Sequence, residues 1–361
     1  MAKSKTEKNL CRTIDKWDDY YNEELLKPIF DYVVKNKDKY FIAYRDGEII
    51  IYYRGLKTIT LRPKSKENWS ITPRSKSGHN PEKTGCKPNE RILSANDKYL
   101  KALFKGNFSE KEKSMLKGKD YTELLKLASE FINDYCGEKE TEKTIQGEIA
   151  CKYQSWNNDY LCVDMEFAQP FDSAQEQKNS GIKGRCDYIF LKKETDTKYK
   201  LIYIELKSKK GSCTGYTSAI IDHYSDMMFY FDNYKNENDP WKIKETIKAG
   251  VKFAVKRKVD LKLIDSDISD YIDFDNPEYR VLFKMTEDEK QPTTKIEIEA
   301  LIDEELRKAK ATNSSKNKAE MDKNRINVGK DKIPKYELEK YSYYIKQVKE
   351  DVLNHSYCVD I

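Results

Sequence analysis

One stretch, GRCDYIFLKKETDTKYKLIYIELKSKKG (184–211), limits the folds open to this chain more than any other. Two apolar runs, CDYIFL (186–191) and KLIYIELK (200–207), flank the polar KKETDTKY (192–199), and a lysine-rich tail follows. Short apolar runs bounded by charged, turn-like sequence are strands, and the polar gap between them is a hairpin loop. Residues two apart on a strand share a face. Leu201, Tyr203, Glu205 and Lys207 therefore point one way, while Ile202, Ile204 and Leu206 form an apolar face that belongs in a core. Glu205 and Lys207 lie roughly 6–7 Å apart along the strand. Asp187 stands at the start of the first strand, and an antiparallel hairpin brings it beside the far end of the second. The pairing predicts two carboxylates and an ammonium converging at a sheet edge.

That convergence suits phosphodiester hydrolysis. Mg²⁺ is a hard cation typically held by one or two carboxylates together with waters and substrate phosphate. Asp187 and Glu205 would supply the carboxylates to Mg²⁺ (or Mn²⁺), and the carbonyl of Leu206 is a further candidate oxygen ligand. Lys207 could orient or deprotonate an attacking water, or neutralise charge on the pentavalent phosphate. The plainer reading makes Glu205 and Lys207 a same-face surface ion pair, worth about 0–1 kcal/mol. A Glu-x-Lys triplet alone is weak in a chain with 36% charged residues, and comparable runs occur elsewhere, as at Glu287–Lys290. What strengthens this copy is the apolar strand around it and the acid upstream.

The flanking sequence places this hairpin among other elements. An Asp-x-x-Glu cap, Asp120 and Glu123, opens a helix with Leu124, Leu125, Leu127, Ala128, Phe131 and Ile132 as its apolar stripe. A second helix, about Glu140 to Gln154, carries Ile145, Ile149 and Tyr153. On it Glu148 borders the apolar stripe as a weaker candidate ligand, Glu142 competes for that role, and Gly147 would allow another element to approach closely. Leu161, Val163, Met165 and Phe167 alternate as a strand. After the hairpin comes a helix, about Tyr216 to Tyr234, whose Ile220, Tyr224, Met227, Met228 and Phe231 would pack on the sheet, with His223 a surface or hydrogen-bonded histidine. VKFAVKRKV (251–259) and YRVLFKM (279–285) read as strands. Basic residues on either side of the hairpin, Lys183 and Arg185 before it and Ser208, Lys209 and Lys210 after it, are candidate contacts to a nucleic-acid backbone, or else ordinary solvated side chains.

Here the chain resembles the PD-(D/E)xK, or restriction-endonuclease-like, nuclease superfamily. Its pattern is an acid at a strand start, a loop, then Glu/Asp-x-Lys on the next strand, usually with a Glu on a preceding helix. The matching residues are Asp187, Glu205-Leu206-Lys207 and Glu148, with Cys186 standing where the family name has proline. The resemblance covers about residues 138–260, including the order helix, three strands, helix, strand. It implies an α/β fold: a restriction-endonuclease-like core with a mixed central sheet flanked by helices. It also implies a Mg²⁺-dependent endo- or exonuclease with catalytic residues Asp187, Glu205, Lys207 and Glu148, and a metal held by Asp187, Glu205, Leu206 and Glu148. Family habit favours DNA over RNA, in bacterial restriction, repair or phage defence, and leaves a homo-oligomer open.

The flanks divide the chain further. Residues 1–115 should hold an N-terminal subdomain: a helix from Tyr20 to Lys35, a hairpin turning at Asp46-Gly47, and a long polar loop over Lys64–Glu90. Residues 116–290 form the nuclease-like core, and 291–361 a charged helical extension. In that extension 301–332 reads as an exposed helix or a disordered linker, and Pro334 starts a last helix with Tyr341, Tyr344, Ile345, Val348 and Val352 on one face.

Composition narrows the alternatives. Eight cysteines without a CxxC pair, and three scattered histidines, argue for reduced thiols and against a zinc site. No run approaches the ~18 apolar residues of a membrane span, and the basic N-terminus lacks a signal-peptide apolar region, so a cytoplasmic protein is expected. A net charge of +5 from 67 basic and 62 acidic residues requires any nucleic-acid surface to come from local clustering. Two other readings remain open: a catalytically inert nuclease-like module that binds nucleic acid or a protein, and a charged scaffold protein.

Overall fold

The computed structural model describes residues 13–14, 17–21, 23–45, 47–65, 68–73, 121–136, 141–168, 184–209, 220–236, 242–288, 290–313 and 357–358. They form a mixed α/β protein with two sheets, divided into two compact units. One comprises 11–155 and 253–267, and the other takes 156–252 and 268–361 with the first ten residues.

The first unit is built on an antiparallel sheet in the order β1 (Tyr40–Arg45), β2 (Glu48–Tyr53), β3 (Leu56–Ser65), β4 (Asn68–Pro73). Arg45 pairs with Glu48, and Gly47 takes a φ of +74° that a side chain would resist; Asp46, expected to share that turn, lies outside the described residues. A second two-residue turn, Arg54-Gly55, has positive φ at both positions, the backbone of a type I′ hairpin. The sequence between 64 and 73 was expected to be loop and instead ends β3 and forms β4, because Trp69 and Ile71 alternate with polar residues and Ile71 pairs with Leu61. Helices α1 (Trp17–Tyr20) and α2 (Glu23–Lys35) precede the sheet, and α2 buries Leu26, Ile29, Phe30 and Val33 at i, i+3, i+4 and i+7.

Helices α3 (Tyr121–Cys136) and α4 (Glu142–Lys152) belong to this unit and not to the sheet that follows them in the chain. Specific polar contacts attach α3. Tyr40 donates to Ser129 Oγ at 2.8 Å, and Tyr53 donates to Asn133 Oδ1 at 2.9 Å. Helix α4 starts from a capping box, Thr141 with Thr144, and rides directly on the Arg54-Gly55 turn. A Cβ on Gly147 would lie 2.0 Å from the Gly55 nitrogen, so the close approach expected of this glycine is realised against that turn.

The second unit holds a mixed five-stranded sheet in the order β5 (Tyr160–Ala168), β6 (Arg185–Thr195), β7 (Lys198–Lys207), β8 (Ile272–Phe283), β9 (Tyr357–Cys358). Strands β5, β6 and β7 are antiparallel, while β8 runs parallel to β7. The hairpin loop expected over 192–199 shrinks to Asp196-Thr197, since Thr195 already faces Lys198. Helix α5 (Ile220–Tyr234) buries Ile220, Tyr224, Met227, Phe231 and Tyr234, a run at helical spacing. Its aromatic residues meet the sheet: Phe231 lies 5.2 Å from Tyr203 and Tyr224 6.0 Å from Tyr279, ring centre to ring centre. The Tyr234 hydroxyl donates to Phe274 O at 2.6 Å.

Residues 251–259, read as a strand, are helical. They end α6 (Ile243–Asp260), in which Ile243, Ile247, Val251, Ala254, Val255 and Lys258 are buried. Over nine residues the apolar positions mimic alternation, and only the longer window exposes the 3.6-residue period. The C-terminal part begins with α7 (Lys295–Asn313), so a helix is the form taken by 301–313. The helix expected after Pro334 lies outside the described residues.

Candidate active site

Every residue of β7 from Leu201 to Lys207 is buried, along with Ser208. Sequence spacing placed Glu205 and Lys207 on the face opposite the apolar one, at a sheet edge, with a surface ion pair as the plainer reading, and here the structure differs. Strand β7 is flanked by β6 and β8, and both of its faces are covered. Such inner strands read as near-continuous apolar runs, and the two charges interrupting this one therefore stand out. Glu205 is 6% exposed and Lys207 2%, and Lys207 Nζ lies 3.1 Å from Glu205 Oε1. This is no surface pair.

Asp187 arrives as the hairpin required. Tyr188 faces Ile204, so the next position sets Asp187 across from Glu205. There the backbone ladder between β6 and β7 stops, and the Asp187 side chain replaces it: Oδ2 accepts from the Leu206 nitrogen at 2.6 Å. On the other side β7 stays paired to its end. The Lys284 nitrogen donates to Lys207 O at 3.1 Å, and that of Thr286 to Ser208 O at 2.9 Å. Because a strand residue turns its N–H and C=O toward the same neighbour, Leu206 directs both to the β6 side, where Asp187 sits.

A fourth side chain completes the group. His223, in the first turn of α5, places Nδ1 in contact with Glu205 Oε1, the atom Lys207 also reaches. The sequence reading left it as a surface or hydrogen-bonded histidine, because no spacing in the sequence ties it to Glu205. Burial alone would raise the Glu205 carboxyl above the usual carboxylate range. The Lys207 charge and the His223 hydrogen bond outweigh burial and hold it below that range.

Strand β5 contributes a strained neighbour. Met165 faces Tyr188 and Phe167 faces Cys186, so Glu166 stands in register with Asp187. Its φ of +55° is a left-handed conformation in mid-strand that costs a non-glycine residue roughly 1–2 kcal/mol.

The remaining expected residues are scattered. Arg185 and Lys209 are exposed at the two strand ends beside the site, and Ser208 is fully buried. Lys183 and Lys210 lie outside the described residues. Glu148 is exposed on α4, in the first unit.

The donor set fits a small hard cation. Asp187 and Glu205 are two carboxylates facing each other across neighbouring strands, and Glu205 Oε2 accepts no hydrogen bond among the described residues. Two carboxylates with waters and a phosphate satisfy Mg²⁺. Among the described residues no cluster of three or more His, Cys, Asp and Glu is arranged to hold a metal by itself, so an ion here would draw its other ligands from water and substrate.

No protein-family model, curated protein or solved structure matches the chain. Among the described residues no helix is long and apolar enough to cross a membrane.

Proposed function

We propose that this chain is a metal-dependent nuclease that hydrolyses nucleic-acid phosphodiester bonds, on a restriction-endonuclease-like core formed by α5 and the β5–β8 sheet. The observation that carries the reading is the buried Glu205–Lys207 pair on the central strand with Asp187 directly across from it. A buried ion pair rarely improves on apolar side chains of similar volume, because desolvating two charges costs as much as their attraction returns. A fold that keeps one where Ile, Leu and Tyr surround it has a use for the charges beyond stability.

Asp187 and Glu205 would hold Mg²⁺ or Mn²⁺, with the Leu206 carbonyl directed to the same side. The bound ion would supply Lewis acidity to the phosphate and a water that deprotonates near neutral pH. Asp187 is fixed by the Leu206 N–H, so its carboxylate needs no reorganisation on binding. Lys207 Nζ reaches Glu205, which sets its ammonium beside the carboxylate that would hold the ion, in position to orient the attacking water or to offset charge on a phosphate. Arg185 and Lys209 stand at the exposed strand ends, where cations would grip a nucleic-acid backbone without reading its sequence.

Supercoiled plasmid, linear duplex, single-stranded DNA and RNA, each incubated with Mg²⁺, Mn²⁺ or EDTA, test this directly. Cleavage of one substrate class that needs the metal and disappears in Lys207→Ala identifies the reaction and the substrate together. If wild type leaves all four intact in either metal, the chain is instead a non-cleaving module of the same architecture.

A further inference from the structure

We infer that His223 is a positioning residue of this site: with Lys207 it occupies Glu205 Oε1 and so presents Oε2 alone to the metal, making Glu205 a monodentate ligand. The inference rests on the metal-site reading of Asp187 and Glu205 and adds to it the geometry of the ion that fits.

Glu205 is 6% exposed, so its lone pairs must be met by protein groups or by a ligand. Every hydrogen bond and ion pair that Glu205 makes among the described residues ends on Oε1, from Lys207 Nζ at 3.1 Å and from His223 Nδ1. An oxygen carrying two donors has little left to give a cation, and Oε2 is the atom still able to coordinate. The two donors also come from different elements, Lys207 from β7 itself and His223 from α5. Rotation of the carboxylate about its last bond would break both contacts at once. Removing His223 leaves only Lys207, whose long stem can follow the carboxylate as it turns.

His223 itself is firmly seated. It precedes Tyr224, which is 1% exposed and packs against Tyr279. The Nδ1 hydrogen it must supply is favoured by the acceptor it faces, since the hydrogen bond of a ring nitrogen selects the tautomer. No change of charge is required, because both the Nδ1-protonated neutral ring and the imidazolium donate from that nitrogen.

A monodentate carboxylate is the ligand of a small, octahedral cation. Mg²⁺ and Mn²⁺ accept it, whereas Ca²⁺ often uses both oxygens of a carboxylate in larger, more flexible shells. The site should therefore prefer Mn²⁺ to Ca²⁺ more strongly with His223 than without it. Groups that orient a ligand in this way typically alter metal affinity by about 10–100-fold when removed.

Isothermal titration of the full chain with MnCl₂ and with CaCl₂ tests the inference without any substrate. Wild type, His223→Ala and His223→Asn would be compared, the Asn amide restoring a donor near the Nδ1 position. We expect His223→Ala to weaken Mn²⁺ binding at least tenfold while Ca²⁺ binding changes less, and His223→Asn to recover most of the Mn²⁺ affinity. Mn²⁺ affinity in His223→Ala within twofold of wild type would overturn the positioning role and leave the metal site standing. Equal weakening in Ala and Asn would also overturn it, by showing that the ring acts through packing. A wild-type protein that takes up neither cation would remove the metal site itself, and this inference with it.

Discussion

Glu205 Oε1 receives two donors on a strand whose neighbouring residues Leu201 to Ile204 and Leu206 are buried, and the energetic consequences can be read one atom at a time. Truncating one partner of a buried ion pair strands the other, which costs about 3–5 kcal/mol, whereas replacing both with apolar groups is often neutral. Lys207→Met should accordingly lower the unfolding free energy by about 3 kcal/mol, and the double variant Glu205→Leu/Lys207→Met should regain most of it. Urea denaturation of the three proteins measures both values; a double variant no more stable than the single one would contradict this. The pH dependence follows from the same carboxylate. Because Glu205 is held below its ordinary range in the folded state, its stabilisation is fully present above the unfolded value of roughly 4.3 and fades as pH falls through the folded value. Wild type should lose more stability than Glu205→Gln between pH 5 and pH 3, by the shift in urea midpoint.

At the scale of elements, Gly147 makes the sharpest claim. Its missing side chain lets α4 sit on the Arg54-Gly55 turn, where a Cβ would meet the Gly55 nitrogen at 2.0 Å and the Arg54 carbonyl carbon at 2.6 Å. Backbone cannot rotate aside as a flexible side chain does. Gly147→Ala should therefore destabilise the protein by about 2–3 kcal/mol, despite alanine's better helix propensity, as measured by thermal or urea unfolding. Gly147, Gly47 and the strands β6 and β7 were legible because each depends on local chemistry: a small residue, a positive φ, an apolar run. The Asp187–Glu205 pairing was legible too, since a hairpin fixes which positions face each other. What stayed hidden depends on partners distant in sequence. Residues 251–259 alternate like a strand, and only the burial of Ile243 and Ile247 earlier in the same helix gives the period away. Burial of the Glu205 face depends on α5 covering it, and His223 gains meaning only from that docking.

Across the whole molecule, the path of the chain decides which fragments can stand alone. Residues 11–155 form most of the first unit, yet 253–267 complete it. Arg257 lies over the Trp17 ring at 4.8 Å, and Lys258 donates to Gln154 O at 2.9 Å from a position only 4% exposed. A fragment ending at Ser155 lacks both and leaves Phe41 and Tyr44 without the neighbours that cover them, Lys258 over Phe41 and Phe253 against Tyr44. It should show broad, weakly cooperative thermal unfolding, in contrast to the full chain, when followed by near-ultraviolet circular dichroism. A sharp transition matching that of the full chain would refute the interleaved division. For the chemistry at the other unit's sheet Asp187→Asn is the cleanest probe, because the amide oxygen can still accept from the Leu206 N–H and spare the fold. Single-turnover cleavage of supercoiled plasmid across a Mg²⁺ titration, wild type beside Asp187→Asn, is the decisive measurement. The account predicts a wild-type rate that rises and saturates with Mg²⁺ and a variant at least about 100-fold slower, on the scale of losing one preorganised electrostatic contact, with an unchanged unfolding midpoint. Equal rates in the two proteins, or no wild-type cleavage at any Mg²⁺ concentration, would contradict it.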